Sequence, residues 1–235
     1  MNKVSIIIPT FNEMNCLGNL LSQLKSYPGK DSCEIIVTDA GSTDNTASIA
    51  GKEGVIFLHS PTAGRAAQMN YGAQHAHGDI LFFVHADTVP PPDFYEDLST
   101  AVNSGYDMGR YYSKYLSPNP LLKLNAFFTR FDFFACMGGD QTLFIKKSLF
   151  EKSGGFRSDM KIMEEYEFCK RVRLNAKYII LKKTVLVSAR KYETNSWFTI
   201  QRANAAILRM YRKGATQEEM VCTYRQKLQY RDNAF

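Results

Sequence analysis

Uninterrupted apolar runs alternate with segments in which apolar residues recur every three or four positions, and this alternation repeats through the first ninety or so residues. Val4 to Pro9 is β-branched and closed by proline, which predicts a short strand. Leu17, Leu20, Leu21 and Leu24 then recur at helical spacing until Tyr27-Pro28-Gly29 ends the helix, with Asn12 placed to cap its start. Glu34 to Asp39 predicts a second strand, the residues up to Gly51 a short helix, Val55 to His59 a third strand and Ala66 to Ala76 another helix. Ile80 to Val84 is apolar throughout, as suits a strand covered on both faces in the middle of a parallel sheet. Pro90, Pro91 and Pro92 stop it. Strand and helix alternating on this scale imply an α/β fold, a mostly parallel central sheet with right-handed crossovers flanked by helices.

The second half is less regular. Asp93 to Asn103 reads as a helix, and Asp107 to Tyr115 as a strand polar enough to lie near an edge. From Pro118 to Ala135 the chain is rich in Leu and Phe, with Leu121, Leu122, Leu124, Phe127, Phe128, Phe131, Phe133 and Phe134 interrupted by Arg130 and Asp132. That pattern predicts an amphipathic helix or lid rather than a span. Gly138-Gly139-Asp140-Gln141 reads as a turn before a strand at Thr142 to Ile145, followed by a helix from Lys146 to Ser153. A helix from Met163 to about Leu174 carries acids first and bases later, as the helix dipole favours. Tyr178 to Leu181 and Thr184 to Val187 read as two short strands, and Trp197 to Arg212 and Thr216 to Arg231 as tail helices.

Composition narrows the class. The 235 residues are 45% hydrophobic and 22% charged, ordinary for a globular chain. The net charge of +6 is uneven, with seven Lys or Arg against three Asp or Glu between Phe198 and Phe235. A basic tail suits an anionic membrane surface, a phosphorylated substrate or nucleic acid, or is simply a solvated helix face. No nucleic-acid reader motif is present, which argues against the last partner. The five cysteines form no Cys-x-x-Cys pair and are odd in number, so a reduced, cytoplasmic compartment is expected rather than a disulfide framework. No signal-peptide pattern or run of about 18 apolar residues is seen, so the expected protein is soluble or at most peripheral at the inner face of a membrane.

Candidate chemistry gathers at strand ends. His85, Ala86 and Asp87 emerge where the central strand stops, and open α/β sheets bind ligands outside the carboxyl ends of their strands. A carboxylate there can hold a hard divalent cation that bridges to phosphates. Asp39 ends another strand, ahead of Gly41-Ser42-Thr43-Asp44. Arg65 follows Gly64 at a helix start, where backbone donors also favour anions and a diphosphate is a natural partner. Glu164 and Glu165 offer a general base, although the dipole preference accounts for acids at that position equally well. His85 suits a hydrogen bond better than a metal, and the other histidines lack metal-ligand spacing.

Together, Ser-Ile-Ile-Ile-Pro-Thr-Phe-Asn-Glu, Ile-Ile-Val-Thr-Asp-Ala-Gly-Ser-Thr-Asp and Gly-Asp-Ile-Leu-Phe-Phe-Val-His-Ala-Asp-Thr resemble the family 2 glycosyltransferases of the GT-A, Rossmann-like fold. Gly64 to Asn70 and Gly139-Asp140-Gln141 narrow the resemblance to a small, soluble bacterial subgroup. It implies a metal-dependent, inverting transfer of a hexosyl or related group from a UDP or GDP sugar to an acceptor hydroxyl, with Mg or Mn as cofactor. It also implies a domain over 1–190, with a nucleotide-sugar half at 1–90 and an acceptor half at 91–190, and a basic helical extension at 191–235. By the same resemblance Asp39 contacts the base, Thr10 and Glu13 line the nucleotide pocket, Asp87 holds the metal and Glu165 is the catalytic base beside Glu164. Asp140 and Gln141 fall on the acceptor side. Two departures matter: His85 stands where the family's metal motif has its first acid, and Glu165 where its base is aspartate. They leave as alternative a catalytically impaired nucleotide-sugar-binding protein of the same fold. The Phe-rich segment and basic tail keep a lipid-linked acceptor and peripheral membrane contact open.

Overall fold

The computed structural model describes residues 2–133 and 142–228. Its core is one eight-stranded sheet of β1 (Val4–Thr10), β2 (Cys33–Asp39), β3 (Ile56–His59), β4 (Ile80–Phe83), β5 (Thr88–Val89), β6 (Met108–Tyr115), β7 (Leu143–Lys146) and β8 (Tyr178–Val187), in the order β3-β2-β1-β4-β7-β6-β8-β5. The block β3-β2-β1-β4 is parallel. β7 enters antiparallel between β4 and β6, whereas β6 and β8 run parallel.

Alternate residues of the apolar strands serve opposite faces, which is why their runs are unbroken. Ile6, Ile8, Ile80 and Phe82 pack with Leu17, Leu20, Leu21 and Leu24 of α1 (Leu17–Ser26), Ala50 of α2 (Thr46–Lys52), and Phe94 and Leu98 of α4 (Phe94–Asn103). Ile7, Leu81 and Phe83 face the other way, onto Ala66, Met69 and Ala73 of α3 (Arg65–Gln74), Phe150 of α6 (Lys147–Lys152) and Phe168 of α7 (Glu164–Val172). The remaining helices are α5 (Pro120–Phe128), α8 (Lys191–Thr194), α9 (Trp197–Arg212) and α10 (Gln217–Lys227). A separate cluster joins Ile162 to Ile200, Ala203 and Ile207 of α9 and to Met220, Val221 and Tyr224 of α10.

Two expectations need correction. Asn12 does not cap α1: it adopts φ 54°, and its side-chain oxygen accepts from Thr43 N at 2.9 Å, tying the loop after β1 to the loop after β2. The N-cap of α1 is Cys16, whose side chain makes no capping bond. β6 lies between β7 and β8, but only Met108 and Gly109 pair with β7, so among the described residues its polar stretch from Arg110 to Tyr115 has a ladder partner on the β8 side alone, as suits a strand near an edge. Arg110 donates to the carbonyls of Thr129 and Phe131, and the Tyr111 hydroxyl donates to Asp97. Tyr178 to Val187 is one strand whose register slips, Tyr111 facing Leu181 and Tyr112 facing Thr184. The slip leaves Lys182 and Lys183 over, and Lys183 turns out to Asp93 and Asp97 at 3.2 and 2.8 Å.

α3 approaches the sheet closely at Gly72, where a Cβ would lie 2.6 Å from Ile7 Cγ2 and 3.0 Å from Thr38 Cγ2. Gly72→Ala gains helix propensity of about 0.5–1 kcal/mol. Overpacking against two buried strands costs about 1–3 kcal/mol, so a lower denaturant midpoint is expected.

Glu34 fastens the start of β2 to the turn before β4, accepting from Ser5 Oγ, His77 N and Gly78 N. Burial alone would raise its pKa, but the bonds from Ser5 and His77 outweigh it and the net direction is down. A depressed carboxylate gives stability above its unfolded pKa and loses it as pH falls through the folded value. Glu34→Gln is therefore expected to flatten the loss of stability below about pH 4.5, read as Tm against pH.

Candidate active site

β1, β2 and β4 run parallel, so their carboxyl ends open on one edge of the sheet, with Thr10 directly opposite Asp39. Asp39 is buried and accepts from Thr10 Oγ1 at 3.0 Å, Gly41 N at 2.9 Å and Ser42 N at 2.8 Å. Its carboxylate shapes the turn that follows β2, and Thr10 holds it in place. The two loops are stitched again where Glu13 N donates to Thr46 Oγ1 and Asn12 N donates to Ser42 Oγ.

Glu13 and Asp87 share a cation that pattern reading had not singled out. Arg190 meets the Glu13 carboxylate with both terminal nitrogens at 2.6 Å, and one of them lies 3.1 Å from Asp87 Oδ2. Burial alone would lower the arginine's pKa, but the bond to Glu13 and the charges of Asp87 and Glu13 outweigh it and move it up. The placement follows from the short β5, which pairs antiparallel with the end of β8, and from Ser188 N donating to Asp87 O. An arginine just past the end of an apolar strand was the available signal. It became readable only once that strand was known to lie beside Asp87.

A second group lies around the start of α7. Glu164 and Glu165 are both buried there. The dipole preference explains acids in a first turn but not their burial. Arg65 Nε stands 2.9 Å from Glu164 Oε1, and His85 Nε2 stands 3.4 Å from Glu165 Oε1. Neither Glu164 oxygen, nor Glu165 Oε2, has a well-formed hydrogen bond among the described residues. Burial pushes the Glu165 carboxyl up and His85 pulls it part of the way back. Burial would lower His85, yet Glu165 beside it moves its pKa up. The third acid of this turn, Glu167, is structural, paired with Arg171 at 2.7 Å.

The backbone carries strain at both borders of the site. Among the described residues the non-glycine positions with positive φ are Asn12 at 54°, next to Glu13, and Met163 at 68°, next to Glu164. Such conformations cost about 1–3 kcal/mol each and tend to occur where geometry is being enforced. Gln68 fixes α3, which starts at Arg65, by donating to the carbonyls of Thr10 and Thr38 at 2.7 Å. Asn70 instead bonds both backbone groups of Phe156 and is structural. Asp140 and Gln141 lie outside the described residues.

No three His, Cys, Asp or Glu side chains converge as a cage for a metal among the described residues. Asp87 nevertheless suits an ion that arrives with a phosphate ligand: its Oδ1 has a long 3.5 Å contact from Thr88, and its side chain is partly open. Mg is commonly held in this way, by one or two carboxylates plus substrate phosphates.

Comparison with known proteins follows the same lines. The family model described as glycosyl transferase family 2 matches residues 5–158. An uncharacterized glycosyltransferase, Rv1514c of Mycobacterium tuberculosis, is 30% identical over 189 residues, covering 73% of this chain and 69% of that protein. An undecaprenyl-phosphate 4-deoxy-4-formamido-L-arabinose transferase of Edwardsiella ictaluri is 31% identical over 116 residues, 45% of this chain and about a third of its own length, 35%. Among solved structures, residues 1–349 of TarS from S. aureus superpose with a TM-score of 0.67 at 20% identity, covering 81% of this chain and 62% of that one. Mannosyltransferase PcManGT of Pyrobaculum calidifontis, in complex with GDP-Man and Mn2+, superposes with a TM-score of 0.66 at 18% identity, covering 88% and 61%. At these identities the structural likeness is one of fold.

Proposed function

The chain belongs to glycosyl transferase family 2 and has the GT-A fold, and from that premise we propose that it transfers a sugar from a UDP or GDP sugar to an acceptor hydroxyl with inversion. The observation that carries this reading is the convergence, at one sheet edge, of Asp39, Glu13, Asp87 and Arg190 with the buried acids Glu164 and Glu165 and their partners Arg65 and His85. One part of the group suits a nucleotide diphosphate and the other a proton acceptor.

Glu165 takes the acceptor proton as the hydroxyl oxygen bonds to the anomeric carbon. The bond from that carbon to the diphosphate oxygen breaks on the opposite face, and the nucleoside diphosphate leaves with the electron pair. A raised carboxyl pKa suits this role, because a base is most effective when its pKa lies near the working pH. His85 orients Glu165 through its ring nitrogen. Arg65 and Arg190 offset negative charge on the departing diphosphate. A Mg or Mn ion, held by Asp87, would supply Lewis-acid stabilisation of the same charge. The name of the Edwardsiella relative supports a lipid-linked acceptor for this chain as well.

Calorimetry with UDP, GDP, UDP-glucose, UDP-N-acetylglucosamine and GDP-mannose, each with and without Mn, tests the reading on wild type and Asp87→Ala. The expected result is metal-dependent binding of one nucleotide class that disappears in the variant. Tight binding without turnover on any acceptor would favour the impaired-binder reading, consistent with His85 at the metal motif. No binding to any of the five ligands overturns the proposal.

A further inference from the structure

The least expected surface on the molecule is aromatic. Phe127, Phe128, Phe131 and Phe133 are between 38% and 61% exposed, and Leu116 and Leu124 add 59% and 45%. The rings touch one another, with centroids 5.2 Å apart for Phe127 and Phe131 and 5.9 Å for Phe131 and Phe133. A contiguous apolar patch on a surface marks an interaction site, whereas scattered exposed residues do not.

This segment is seated from beneath. Buried Arg110 donates to the carbonyls of Thr129 and Phe131 at 2.6 and 3.1 Å, and Thr129 Oγ1 accepts from Ser113 N at 3.0 Å. Those bonds satisfy the end of α5 on its inner side, and the Phe side chains are left outward.

Asp132, between Phe131 and Phe133, is paired with Arg173, and the helix beside the patch carries only basic charge. Asn125 of α5 accepts from Trp197 Nε1 at 3.1 Å, so the first turn of α9 sits against α5, and Phe198, 62% exposed, packs edge-on to Trp197. At 3.6 residues per turn, Phe198, Arg202, Arg209 and Arg212 share one face of α9, opposite the buried Ile200, Ala203 and Ile207. Lys213 extends this stripe, and no Asp or Glu occurs between Trp197 and Thr216. Arg130 lies 5.6 Å from the Tyr112 ring and 5.9 Å from that of Phe127, at the border of the aromatic cluster. No helix among the described residues is long and apolar enough to cross a membrane.

We propose that α5 with the Phe127–Phe133 cluster and the arginine face of α9 form a docking surface for an anionic phospholipid bilayer, lying on it without crossing it. Aromatic rings enter the interfacial layer while arginines meet the phosphates, the combination by which amphipathic surfaces bind membranes reversibly. The inference rests on the proposed transfer only in that a bilayer is where a lipid-linked acceptor would be met.

Vesicle co-sedimentation without donor tests it, on the full chain, with phosphatidylglycerol–phosphatidylcholine vesicles and with phosphatidylcholine alone. Wild type is expected to bind the anionic vesicles, less so at high salt, and the neutral ones weakly. Phe127→Ser/Phe131→Ser and Arg202→Glu/Arg209→Glu are each expected to weaken binding about tenfold or more at unchanged Tm. Wild type that ignores anionic vesicles, or variants that bind as it does, overturns the proposal. So does a dimer that the Phe pair of substitutions dissociates, because the patch then belongs to a second copy. Nucleotide affinity, measured without vesicles, reports on the transfer reading separately.

Discussion

Glu165→Gln lowers turnover by about 10²–10⁴-fold while nucleotide affinity stays within about a factor of two, the range expected when a positioned proton acceptor is lost. The substitution keeps shape and burial and removes only the ability to take a proton. Initial rates at saturating donor, with calorimetry on the same samples, separate chemistry from binding. Glu165→Asp gives a useful companion result. It restores the residue type of the related family but withdraws the carboxylate by a methylene from His85, which now stands 3.4 Å away. Since a displacement of about 1 Å can cost about 100-fold, an aspartate slower than wild type indicates a site built around the longer side chain. Activity of Glu165→Gln within threefold of wild type would move the base elsewhere, with buried Glu164 next in line.

Arg190→Ala has the largest expected effect on stability. The guanidinium holds Glu13 with two bonds and Asp87 with a third contact, and its removal leaves two carboxylates sharing one space. Breaking a fully buried pair from one side costs about 3–5 kcal/mol. All three side chains here retain some water contact, so about 2–3 kcal/mol is the better figure, or about 5–10 °C in Tm for a chain of this size. Thermal denaturation measures it. Glu13→Gln with Asp87→Asn in the Arg190→Ala background should recover part of the loss, because the uncompensated charges are then gone. A Tm within 2 °C of wild type would mean that water already screens the cluster.

The first ninety residues were legible because β1 and β4 are buried on both faces and Asp39 and Asp87 stand at strand ends. Ile80 to Phe83 packs on both layers, as an unbroken apolar run requires, and Asp39 and Asp87 both follow such runs. What local pattern could not report was the partner at long range. Asn12 looked like a cap because its type favours caps, yet Thr43 offered its backbone donor instead. The polarity of β6 did report its open flank, but not that Arg110 would fill it by donating to carbonyls at the end of α5. Arg190 lies 177 residues from Glu13, and no periodicity spans that distance. The burial of Glu164 and Glu165 was equally invisible, since acids in a helix's first turn need no tertiary cause.

The Arg190 bridge also sets an order of events in the life of the chain. On a ribosome adding about 5–20 residues per second, Asp87 emerges about 5–20 s before the arginine that neutralises it. Throughout that interval the newborn strands β1, β2 and β4 can pair, but Glu13 and Asp87 face each other without their cation. The edge where the donor is proposed to bind is therefore completed last, by a closure across nearly the whole domain, and such distant contacts form slowly. A nascent chain stalled before residue 190 would carry a nearly finished sheet with an unfinished, negatively charged mouth.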